Sequence, residues 1–127
     1  YTLIGKVVNG FHEGRKLGFP TANLDISHFG QLIPAPGVYA VRVRLENTVV
    51  WKRGMMNVGN RPTFNGRLLT LETHIFNFDG DIYDQLLLVS FVKRIRGEQK
   101  FDSPEELAAQ LKEDEQTVLD LFEKEAE

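Results

Sequence analysis

The chain has 127 residues, 42% of them hydrophobic and 26% charged, with a formal net charge of -3 and no cysteine. That length fits one domain able to bury a core. The missing cysteines exclude disulfides, thiol catalysis and thiolate zinc sites. No basic run supplies the electrostatic footprint of a duplex-binding protein. The apolar runs are too short to span a bilayer as helices. The opening Tyr1-Thr2-Leu3-Ile4 lacks the charged-then-apolar pattern of a signal peptide, so a cytoplasmic protein is expected. An opening on Tyr1 rather than Met reads as a module of a longer polypeptide.

Leu3 to Val8 reads as a strand, and residues 9–36 as a long glycine- and proline-rich loop with little regular structure. Gly37 to Leu45 alternates as a half-buried strand does, with Val38 and Ala40 set against Tyr39, Val41 and Val43. After a turn at Asn47, Thr48 to Val58 resumes as a strand, and Gly59-Asn60-Arg61-Pro62 reads as a turn-rich loop. Leu69 to Phe78 and Leu86 to Ile95 form two more strands about a hairpin signal at Asp79-Gly80. A helix starts at Ser103-Pro104-Glu105-Glu106, where Ser103 caps, Pro104 suits the first turn and Glu106 completes a capping box. Its apolar stripe is Leu107, Leu111, Val118, Leu121 and Phe122. Asp114 interrupts that stripe, either as a helix-edge residue or as a buried, hydrogen-bonded contact. Several short strands followed by one helix predict a small antiparallel barrel with an appended helix.

Four segments carry residues suited to chemistry. Gly10, Gly14 and Gly18 bracket Arg15 and Lys16, and glycine amides with nearby cations suit an anion. Taken alone, the segment reads more readily as an irregular surface loop. In Phe19-Pro20-Thr21-Ala22-Asn23, Thr21 and Asn23 share a face if the segment is extended. Their neutral oxygens suit Mg²⁺, although from spacing alone a Thr/Asn turn with local backbone hydrogen bonds is the favoured reading. Glu72 lies on a strand face with Thr70, His74 and Phe76, opposite Leu69, Leu71, Thr73 and Ile75. It suits a general base or, more simply, a solvent-facing Glu/His pair. Lys93 to Phe101 is read as a charged loop, either holding a phosphate or planar ligand through Arg96 and Phe101 or serving as a connector.

The ordered motifs are more specific than any single one. The runs G-K-V-V-N-G, G-R-K-L-G-F-P-T-A-N-L, P-x-P-G-V-Y-A-V, M-N-V-G-N-R-P-T-F, L-E-T-H-I-F, I-Y-D and R-I-R-G-E-Q-K-F-D-S-P-E-E-L together resemble the riboflavin kinase family. The resemblance is to the kinase module of the bacterial bifunctional riboflavin kinase / FAD synthetase, over about residues 3–122. It implies a closed antiparallel Greek-key β-barrel of about six strands with a C-terminal helix. It further implies Thr21 and Asn23 as Mg-ATP ligands and Glu72 as the catalytic acid-base residue. Gly10, Arg15, Ile75, Asn77 and Tyr83 fall at nucleotide-contacting positions, and Arg96, Gln99 and Phe101 in the loop that closes over the flavin. Two positions depart from the family pattern: Asp84 stands where a glycine is usual, and Gly97 where a proline is common.

The expected activity is transfer of the γ-phosphate of ATP to the ribityl 5′-hydroxyl of riboflavin, with Mg²⁺ as cofactor and FMN and ADP as products. Neither nucleic acid nor membrane is an expected partner. Two rivals are a non-catalytic barrel for single-stranded nucleic acid, which the negative charge disfavours, and a flavin carrier without turnover. The adenylyltransferase of the bifunctional proteins is expected upstream, in a separate domain, so this segment is expected to stop at FMN.

Overall fold

The computed structural model describes residues 2–8, 22–26, 33–64, 66–78 and 82–126. The elements run β1 (Thr2–Val8), β2 (Ala22–Asp25), β3 (Gly37–Leu45), β4 (Lys52–Thr63), β5 (Gly66–Ile75), β6 (Leu86–Arg96) and α1 (Pro104–Ala126). Every pairing is antiparallel, and the strands close into a barrel in the order β1-β2-β5-β4-β3-β6. Closure leaves no exposed sheet edge. β6 returns to lie beside β3 of the β3-β4-β5 meander, which is a Greek key.

Alternation explains what fills the barrel. Tyr39, Val41, Val43, Met56, Val58, Leu71, Ile75, Leu87 and Val89 point inward, joined by Leu3, Val7 and Leu24. Where α1 lies against the outer wall, the outward residues are apolar too: Ala40, Met55 and Phe76 pack with Val118 and Phe122. β3 is therefore covered on both faces, and its apolar run is continuous from Val38 to Val41.

Three helix positions four residues apart, Asp114, Val118 and Phe122, are buried on the barrel. Arg42 and Arg53 lie 5.1 and 5.3 Å from the Phe122 ring centroid, and Arg42 pairs with Glu125 near the end of the helix. The start of the helix is capped as expected, the Glu106 amide donating to Ser103 Oγ at 3.2 Å. The Glu106 carboxylate accepts from the Asp102 amide at 3.1 Å, one residue before the cap.

Four sequence expectations are corrected. The segment 9–36 contains β2, a short strand of weak strand formers recruited by pairing with β1 on one side and β5 on the other. The second central strand begins at Lys52 rather than Thr48, leaving Val49 and Val50 exposed ahead of it. Gly59 to Pro62 continues β4 instead of turning, because all four residues keep register with Arg67 to Thr70 of β5. β6 runs one residue past the expected Ile95 to Arg96, so the charged loop read from Lys93 begins only at Gly97, and the pairing of β6 with β3 carries two register shifts. β5 starts at Gly66 and ends at Ile75, and the Asp79-Gly80 hairpin signal lies outside the described residues.

Candidate active site

One row of the outer wall gathers most of the candidate side chains. Asn23 is the Cα partner of Glu72, Glu72 of Asn57, Asn57 of Val38, and Val38 of Arg96. Residues opposed in this way project from the same face, with Cβ atoms of adjacent strands about 4.5–5.5 Å apart. The flanking residues Leu71, Thr73, Met56 and Val58 face the core, which fixes the row as outward. Asn23 is nevertheless only 8% exposed, Glu72 is half-buried and Asn57 is exposed. At one strand spacing per step, Arg96 stands roughly 14 Å from Glu72 along the row.

Arg96 closes the row against the helix. Its Nε donates to both Asp114 carboxylate oxygens, at 2.9 and 3.1 Å, and its Nη2 to Oδ2 at 2.8 Å. Gln110 Nε2 adds a bond to Asp114 Oδ1 at 3.0 Å. The interruption of the apolar stripe is thus a buried, fully partnered carboxylate. The remaining Arg96 nitrogen donates to the Gly97 carbonyl at 3.0 Å, and the guanidinium lies 5.9 Å from the Phe101 ring centroid. Beyond it Gln99 is exposed, and Phe101 is half-buried. Glu98 reaches back across the wall to accept from the Asn60 amide at 3.0 Å. That loop is pinned at Arg96 and at Glu98.

The nucleotide candidates divide. Ile75 turns its side chain into the barrel core, so only its backbone is available outside. Asn77 is exposed, with φ of 55°, a left-handed conformation that asparagine accepts readily. Tyr83 is 53% exposed. Its turn is pinned to β1: the Asp84 amide donates to Val7 O at 2.8 Å, and the Val7 amide to Gln85 O at 2.9 Å. Val7 and Val8 pair in turn with Leu24 and Asn23, which sets Tyr83 two strands from the candidate metal ligand. Thr21, Gly10 and Arg15 lie outside the described residues.

Asp84, which replaces the glycine usual in the resembled pattern, has φ of 70°. That is the left-handed backbone that glycine favours. Its carboxylate lies 2.9 Å from Lys6 Nζ, and the hydrogen bond and charge of that partner raise the Lys6 pKa above its ordinary value. A Cβ on Gly97 would meet Arg94 Nη2 at 3.5 Å, an ordinary contact, so nothing steric demands glycine there. His74, two residues along β5 from Glu72, lies 3.7 Å from Glu115 of α1 and edge-on to Phe76. It is tied to the helix face of the barrel.

Asn57 and Glu98 were not among the sequence candidates. Asn57 carried one signal, an amide in a strand of apolar residues. The role of Glu98 depends on a contact 38 residues away in sequence.

The arrangement is an outer-wall site: a buried amide beside a carboxylate, a nearby tyrosine turn, and an anchored loop with an aromatic ring. Residues 1–122 match the family model of riboflavin kinase, also called flavokinase. The chain belongs to the riboflavin kinase family.

The bifunctional riboflavin kinase/FMN adenylyltransferase of Haemophilus influenzae is 42% identical over 122 residues, covering 96% of this chain and 39% of that protein. An RNA-binding riboflavin kinase of Bacillus subtilis is 41% identical over 95% of this chain and 51% of its own length. A solved structure described as a macrolide-efflux protein from Streptococcus pneumoniae superposes with a TM-score of 0.84 at 40% identity, over 92% of this chain and 38% of that one. The chain thus spans about two fifths of the length of the bifunctional relative it matches. No helix among the described residues is long and apolar enough to cross a membrane.

Proposed function

We propose that this chain phosphorylates riboflavin on its ribityl 5′-hydroxyl with ATP, giving FMN and ADP. The observation that carries the reading is the register of β2 and β5, which sets Asn23 beside Glu72 on the outer wall of a barrel of this family. In the reaction the ribityl oxygen attacks the γ-phosphorus. The bond from that phosphorus to the β–γ bridging oxygen breaks, ADP departs with the electron pair, and Glu72 takes the hydroxyl proton. Such transfers depend mostly on positioning and charge neutralisation.

A magnesium ion fits the donor set. Asn23 offers a hard neutral oxygen on a side chain nine-tenths buried, beside a carboxylate, and Thr21 adds a second such oxygen. When bound, the ion neutralises phosphate charge. Gly10, Arg15, Asn77, Tyr83 and the backbone of Ile75 contact the nucleotide. Gln99 and Phe101 contact the flavin. Arg96, held to Asp114 through Nε and Nη2 and to the Gly97 carbonyl through Nη1, anchors the base of that loop. The proposed setting is the cytoplasm, and any adenylyltransferase activity resides in another part of a longer polypeptide, so this module ends at FMN.

Incubation with riboflavin, ATP and Mg²⁺, with products separated by chromatography, tests the reading: FMN and ADP appear in equal amounts. A flavin carrier yields no FMN. RNA binding, carried by one relative's description, is disfavoured here by a net charge of -3. An oligonucleotide titration against salt checks it.

A further inference from the structure

β4 outlasts the strand beside it. Its last partner on β3 is Gly37, opposite Val58, while its pairing with β5 continues to Thr63. Just past that point Glu98 takes up a backbone donor of β4: its Oε1 accepts from the Asn60 amide at 3.0 Å. We infer that Glu98 is a positioning residue for riboflavin, holding the loop that carries Gln99 and Phe101 against the wall that carries Glu72. The inference rests on the reading of Gln99 and Phe101 as flavin contacts.

Three observations support it. The other ties at the two ends of this loop run to the helix, Arg96 bonding Asp114 and the Asp102 amide bonding Glu106. Among the described residues, Glu98 is the side chain that bonds the loop to β4 instead. Second, Gly59 makes room for the carboxylate. It is buried, and a Cβ there would stand 3.3 Å from Glu98 Oε1 and 2.8 Å from Thr70 Oγ1. Third, Gly59 opposes Thr70, which lies two residues before Glu72 on the same face of β5, about 7 Å along the strand. The anchor is therefore set close to the proposed base. Glu98 is itself exposed, so core packing does not account for the contact.

The test measures riboflavin binding by quenching of its fluorescence, and FMN formation with riboflavin and ATP varied separately. It compares the parent chain with Glu98→Ala, Glu98→Gln and Gly59→Ala, with thermal melting as a check on folding. Glu98→Ala is expected to raise the riboflavin Kd and KM by about tenfold, the low end for a hydrogen bond to a charged group because Glu98 is exposed. Both kcat and the KM for ATP are expected to stay within about twofold. Glu98→Gln keeps an oxygen that accepts from the Asn60 amide and is expected to stay within about threefold of the parent. Gly59→Ala crowds the same contact, so it is expected to raise the riboflavin Kd and to add little to Glu98→Ala in the double variant. A merely structural glutamate would lower the melting temperature and move the riboflavin and ATP constants alike. An unchanged riboflavin Kd in Glu98→Ala, or equal losses in Glu98→Ala and Glu98→Gln, overturns the assignment while FMN formation by the parent leaves the kinase reading standing. A parent chain that neither binds riboflavin nor forms FMN removes that reading, and the anchor falls with it.

Discussion

Asn23 of β2 and Glu72 of β5 are directly opposed across an antiparallel pairing, a neutral oxygen donor on one strand and a carboxylate on the next. In the proposed reaction the two residues have different roles, so their loss is expected to separate kinetically. Glu72→Gln keeps the shape and removes the proposed base. It is expected to lower kcat by roughly 10²–10⁴-fold with an unchanged melting temperature. Asn23→Ala is expected instead to raise the Mg²⁺ and ATP concentrations needed for half-maximal rate. Steady-state kinetics with Mg²⁺ varied at fixed ATP distinguishes them, and equal effects of the two variants on kcat alone would contradict the division of roles.

The Arg96–Asp114 pair ties the end of β6 to α1. Arg96→Leu leaves a carboxylate that is 2% exposed with Gln110 as its remaining described partner. The expected loss is about 3–5 kcal/mol of unfolding free energy. The double variant Arg96→Leu/Asp114→Leu is expected to recover much of that loss, because the uncompensated buried charge is gone. Urea denaturation of the two single variants and the double variant measures the coupling.

Thr73 turns its hydroxyl into the barrel, where Oγ1 is buried and has no hydrogen-bond partner among the described residues. Thr73→Val is nearly the same shape and removes the orphaned group. A gain of about 1 kcal/mol is expected in denaturant unfolding. A loss of similar size would show that the hydroxyl has a partner in the folded chain.

Asp84 holds a left-handed backbone at φ of 70°. Asp84→Gly relieves that strain while losing the exposed ion pair to Lys6, which is worth little. The variant is expected to stay within about 0.5 kcal/mol of the parent. Asp84→Ala meets the same backbone with a Cβ and no local polar compensation, and is expected to lose about 1–2 kcal/mol. Thermal unfolding of the two variants checks the order.

Much of this was legible in the sequence where a residue's neighbours in the chain decide its environment. The alternation of Gly37 to Leu45 and of Leu69 to Ile75 predicted which side chains enter the core. The Ser103 to Glu106 cap placed the start of the helix within a residue. Features set by pairing were not legible. Gly59 to Pro62 has turn composition, yet β5 holds it in strand register. Ala22 to Asp25 forms a strand only because β1 and β5 lie on either side of it. Asp114 was open between surface and interior because its partner Arg96 stands 18 residues away. The proximity of Asn23 to Glu72 is likewise a property of the closed barrel, since the two stand 49 residues apart in sequence and the β2–β5 pairing joins them.

The measurement that bears most directly on the whole account is FMN formation from riboflavin, ATP and Mg²⁺ by the chain and by its Glu72→Gln variant, followed by chromatography. The account predicts steady FMN production with one ADP per FMN, reduced by at least about 10²-fold in the variant. Riboflavin bound but not converted, or equal rates from both proteins, would contradict it.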